Sequence, residues 1–235
     1  MEVCRRWETI SVDPCVKRYT DGELRPSRRG VFHLVVACLL PIGIIVLLAL
    51  WPDEWPLALF MLGKESSYVA SAIFHRFAGL SENVQTHIFS RQLDKLAISV
   101  SIFAAGFPTS FSDLPFYAFT EACFFLPCII LVIIDRELSA GEKSVRRNSF
   151  RTLMLLQFAF TAVFVGSAST WSSHWIIGTS CYVIGFVIYA AGLVRKEFKL
   201  FPWHKNGRNG AHEDFHVLIF VGDVFYFVNA VFYGR

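Results

Sequence analysis

Charge is scarce in this chain. Asp, Glu, Lys and Arg make up 17% of its 235 residues, against 54% hydrophobic residues and a mean hydropathy of +0.47. That leaves too little polar surface for an average water-soluble domain. Cysteines are few and badly placed for a framework: Cys38, Cys123, Cys128 and Cys181 fall in apolar windows, Cys4 and Cys15 in the polar N-terminal stretch. No disulfide scaffold and no CxxC zinc site is expected. The sequence also lacks a Gly-rich phosphate loop and a Ser-His-Asp arrangement. Residues 1–30 contain no early apolar core of the signal-peptide kind, so the first apolar run is expected to serve as its own insertion signal.

What the chain has instead is apolar length. Seven runs approach or reach the ~20 residues that a helix needs to cross ~30 Å of hydrocarbon: Val31–Trp51, Leu57–Phe77, Leu93–Ser110, Pro115–Ile134, Ser149–Ala168, His174–Val194 and Ala211–Tyr233. Residues 1–30, polar and punctuated by Pro14, Gly22, Pro26 and Gly30, are expected to form a mobile cytoplasmic tail. Residues 31–235 are expected to form one all-α membrane domain.

Basic residues test this partition independently. Arg5, Arg6, Lys17, Arg18, Arg25, Arg28 and Arg29 lie in the tail; Arg76 and Arg91 follow the second run. Arg136, Lys143, Arg146, Arg147 and Arg151 follow the fourth, and Arg195, Lys196, Lys199, Lys205 and Arg208 the sixth. The connections after the first, third and fifth runs have none. Only Arg235 falls on the opposite side, with Lys64 and Lys95 inside runs. The positive-inside rule then predicts seven spans, a cytoplasmic N-terminus and an extracellular or lumenal C-terminus.

This orientation gathers chemistry at one depth. His212 and His216, four residues apart, share a helical face at the cytoplasmic start of the seventh run, a spacing suited to holding one zinc ion. The second run ends on the same side at Ser71-Ala72-Ile73-Phe74-His75, and the third begins there at Arg91-Gln92-Leu93-Asp94. Three imidazoles with a carboxylate and a hydroxyl nearby suit a three-ligand zinc site whose fourth position is open to water. His212-Glu213-x-x-His216 also reads as H-E-x-x-H, which would make Glu213 a general base. However, residues 212 and 213 diverge by about 100° around a helix.

Ser71-x3-His75, Arg91-x-Leu93-Asp94, Phe201-Pro202 and His212-x3-His216, in that order and on those runs, resemble the hemolysin III and progestin/adipoQ receptor family from about residue 31 to the end. The resemblance implies a seven-helix fold like that of the adiponectin receptors, zinc held by His75, His212 and His216, and Asp94 and Ser71 beside the metal's water. The alkaline ceramidases are similar in arrangement, which implies hydrolysis of a lipid amide such as ceramide or another N-acyl lipid. Asp214 departs from the apolar residue usual in the family, and the tail has no counterpart.

Other readings stand beside these. A receptor or signalling protein with structural zinc, and a pore-forming hemolysin, fit the same family; the shortage of ionisable residues inside the runs argues against a pore. Ser71 also suits close helix packing, and Asp94 also suits a cap at the start of the third helix. His33, His87, His174 and His204 are read as interfacial residues that bond water or headgroups. Lys64, Glu65, Glu121 and Asp223 lie deep enough that each needs a partner or water. Asp223, seven residues past His216 and on its face, has Lys64 as its expected partner, either as a structural pair or in the lining of a path.

Overall fold

A backbone N–H or C=O meets no water in hydrocarbon, so an apolar run crosses as a helix that satisfies its own peptide groups. Each of the seven runs is helical in the computed structural model, which describes residues 17–18, 24–25, 30–77, 84–109, 114–134, 140–194 and 211–233. Among the described residues, α1 is Val31–Leu50, α2 Trp55–Arg76, α3 Val84–Ala105, α4 Leu114–Ile134, α5 Ala140–Ala168, α6 Ser173–Val194 and α7 Ala211–Tyr233. A short 3-10 turn, Phe107–Thr109, follows α3. Ahead of α1, a two-residue antiparallel pair, Lys17–Arg18 with Leu24–Arg25, lies in the tail for which the sequence suggested no fold.

Two starts lie more than two helical turns ahead of the sequence reading. Hydropathy marks where a helix enters hydrocarbon, not where it begins, and both α3 and α5 carry polar first turns. α3 starts at Val84 rather than Leu93, so Asp94 sits inside the helix and the capping role is excluded. α5 starts at Ala140 rather than Ser149.

The outer surface is apolar and much of the interior is polar. Leu39, Ile45, Phe119, Ile133 and Phe232 are exposed, whereas His33, Lys64, His75, Glu121, Gln157, Asp223 and Asn229 are buried. That inversion is what lipid requires. Among the described residues, four helices are long and apolar enough to cross a membrane by length and composition: Val31–Leu50, Pro115–Ile133, Ser149–Ala168 and Glu213–Tyr233. α2 and α3 are more polar, with Lys64, Glu65 and His75 on one and Gln92, Asp94 and Lys95 on the other buried or half-buried. The chain is thus a multi-pass helical membrane protein.

Small residues set the closest approaches, as expected where lipid supplies no hydrophobic drive between helices. A Cβ on Gly63 would lie 2.1 Å from that of Ala104, joining α2 to α3, and one on Gly178 would lie 2.7 Å from the Tyr226 ring, joining α6 to α7. Between α5 and α6 the chain turns through Thr170 and Trp171, both at positive φ. Trp171 N–H there donates to Gly166 O at 2.8 Å, and the Ser172 hydroxyl caps α6 by accepting from Trp175 N–H at 3.1 Å.

Candidate metal centre

The start of α1 sits directly on the end of α2. Gly30 adopts φ +79°, and a Cβ there would lie 2.7 Å from His75 Cβ and 3.0 Å from Arg76 Cγ. Only glycine meets both demands without strain. This contact brings the first turn of α1, with Phe32 and His33, onto His75 and the first turns of α7.

His33 is 3% exposed and His75 4%. The ring of His33 lies 4.0 Å from that of His216, centroid to centroid and nearly perpendicular, and 5.9 Å from that of His75. His75 and His216, from α2 and α7, are therefore gathered around one side chain. His212 belongs to the first turn of α7, but its side chain lies outside the described residues, as do that of His87 and all of Phe201, Pro202 and His204.

On the α3 side, Ser71 is 2% exposed and its hydroxyl faces the Asp94 carboxylate. It stands outside hydrogen-bond geometry with any described group. Arg91 and Lys95, on the same helix as Asp94, place positive charge beside that carboxylate. The structure thus brings Ser71 to Asp94, and His75 and His216 to His33. Among the described residues, no three His, Cys, Asp or Glu side chains converge closely enough to hold an ion. The donor chemistry nonetheless suits one: a buried imidazole on α2 and a half-buried one on α7, with the Ser71 hydroxyl one turn from His75 and a half-buried carboxylate facing that hydroxyl.

Below the histidines lies a second polar layer. Lys64 Nζ is 2.8 Å from Asp223 Oδ1, Tyr68 donates to Asp223 Oδ2 at 2.8 Å, and Tyr182 donates to Oδ1. Lys64 also donates to the Tyr182 hydroxyl at 3.2 Å. The partner expected for Asp223 is therefore the one it has, in a closed network of α2, α6 and α7. The Tyr68 ring connects the layers, lying 6.1 Å from His33 and 6.3 Å from Phe220. In another part of the bundle Glu121, fully buried, accepts from Gln157 Nε2 at 2.7 Å and Thr161 Oγ1 at 2.5 Å.

His33 is the residue that the sequence reading misplaced. A headgroup-bonding histidine would be exposed, and this one is buried among aromatic rings. The signal was present: His33 opens the first run on the same predicted face as His75 and His216. No histidine four residues away on its own helix marks it as part of a ligand pair. His174, by contrast, stacks on Phe232 at 5.7 Å, as a packing residue does.

A family profile described as Haemolysin-III related matches residues 23–233, starting inside the tail rather than at α1. No curated protein matches the chain.

Proposed function

Because the chain belongs to the haemolysin-III-related family, we propose that it is a seven-span zinc protein, with its N-terminus in the cytoplasm and its C-terminus outside or in a lumen, that hydrolyses an amide bond in a membrane lipid. The ligands are His75, His212 and His216. The observation that carries this reading is that the buried His75 ring of α2, one turn beyond Ser71, and the half-buried His216 ring of α7 are gathered around His33.

Zinc in a three-histidine site supplies Lewis acidity and a nucleophile available at neutral pH. The protein's own groups do the rest. Asp94 orients the attacking water, takes its proton as the C–O bond forms, and returns that proton to the departing amine nitrogen as the C–N bond breaks. The Ser71 hydroxyl donates to the oxygen on which negative charge develops. The products are a fatty acid and an amine, as from ceramide or another N-acyl lipid. An apolar outer surface lets such a substrate reach the site sideways from the bilayer.

The test is purification with metal analysis, then incubation with ceramides and other N-acyl lipids with and without chelator. About one zinc per chain and fatty-acid release that chelation stops are expected. Zinc without release would leave a receptor or signalling protein with structural metal, and no zinc would sink the site itself.

A further inference from the structure

We propose that His33 is a positioning residue of the metal centre, one that holds the His216 ring in its ligating orientation by packing against it from α1. The inference rests on the zinc reading above. The spacing of the rings separates this role from that of a ligand. With Zn–N bonds of about 2.0–2.1 Å and tetrahedral angles, two imidazoles on one ion have ring centroids about 5 Å apart. His33 and His216 are 4.0 Å apart at 79°, too close to share an ion and in direct edge-to-face contact, tighter than the about 4.5 Å at which aromatic pairs usually begin.

The surroundings make His33 rigid enough for the task. It is 3% exposed and lies 6.1 Å from the Tyr68 ring, and Tyr68 is itself fixed by its 2.8 Å hydrogen bond to Asp223. One residue earlier, Phe32 meets Phe220 edge-to-face at 5.5 Å. Phe220 lies one turn beyond His216, so adjacent residues of α1 grip successive turns of α7. A ligand whose neighbours fix its ring binds metal more tightly; losing a hydrogen-bonded neighbour typically costs about ten- to a hundredfold in affinity, and losing a packing neighbour is expected to cost about tenfold or less.

The experiment measures Zn2+ affinity, by competition with a chromophoric chelator, for the full-length protein in detergent and for His33→Ala, His33→Phe and Phe32→Ala. The melting temperature of each metal-free form is recorded alongside. His33→Ala should weaken binding by several-fold to about tenfold, and His33→Phe, which restores a ring but no nitrogen, should recover most of the loss. Phe32→Ala should lower the metal-free melting temperature more than it lowers affinity. Unchanged affinity in His33→Ala would overturn the proposal, as would His33→Phe binding as weakly as His33→Ala, since that makes His33 a nitrogen donor. Affinity loss that merely tracks the metal-free melting temperature across the variants would also overturn it. A wild-type protein that binds no zinc removes the zinc reading itself, a distinguishable result.

Discussion

Lys64 Nζ and Asp223 Oδ1 lie 2.8 Å apart in the interior of the bundle, their side chains 6% and 9% exposed. The two partners are not equivalent. Asp223 is the acceptor for Lys64, Tyr68 and Tyr182 together, whereas Lys64 loses one carboxylate and keeps the Tyr182 hydroxyl. Asp223→Leu leaves the Lys64 ammonium without a counter-charge and the Tyr68 and Tyr182 O–H groups without their acceptor, for an expected cost of about 3–5 kcal/mol. Lys64→Met leaves a carboxylate with two donors and should cost less. Thermal melting in detergent ranks the variants, and Lys64→Met proving the more damaging would show that the tyrosines do not compensate Asp223.

That pair was legible in the sequence because only four ionisable residues lie deep in the runs and helical spacing fixes the depth of each. The helices were legible for a related reason: apolar length has one solution in hydrocarbon. The start of α3 was not, since its polar first turns carry no hydropathy signal. His33 was missed for a different cause. A local spacing rule finds candidate ligand pairs on one helix, such as His212 and His216, but it does not see a ring delivered from another helix by a glycine contact.

Gly30 makes that contact, and its replacement should be felt at the histidines. Gly30→Ala adds a left-handed backbone penalty of about 1–2 kcal/mol and places a methyl 2.7 Å from His75 Cβ. A lower melting temperature and weaker zinc binding are expected together. Weaker melting with unchanged zinc affinity would mean that the start of α1 matters for stability and not for the site.

The acid–base assignment separates two carboxylates on different helices. Asp94→Asn should keep zinc and lose about 10²–10⁴ in turnover of an N-acyl lipid, and Ser71→Ala about 10²–10³. His212→Ala should lose both metal and turnover. Glu213→Gln should leave turnover within a few-fold, because residue 213 is turned about 100° from the ligand face. Should Glu213→Gln fall as far as Asp94→Asn, the H-E-x-x-H role belongs to Glu213 after all.

Glu121 presents the opposite arrangement to Asp223: a fully buried carboxyl whose hydrogen-bond partners among the described residues, Gln157 and Thr161, are both neutral. Gln157 is held in turn by Ser99, whose hydroxyl donates to Gln157 Oε1 at 2.6 Å and whose carbonyl accepts from Nε2 at 3.1 Å. A glutamine at 121 fits this set. Its oxygen accepts from Gln157 Nε2, its amide donates to Thr161 Oγ1, and the Thr161 hydrogen goes to Gln157 O, already 3.0 Å away. Every polar atom keeps a partner, so Glu121→Gln should melt within about 1 kcal/mol of wild type, whereas Glu121→Leu removes an acceptor and should cost about 1–3 kcal/mol. If the glutamine variant melts as low as the leucine one, the site depends on the carboxylate's charge rather than on its hydrogen bonds, and a cation must reach it.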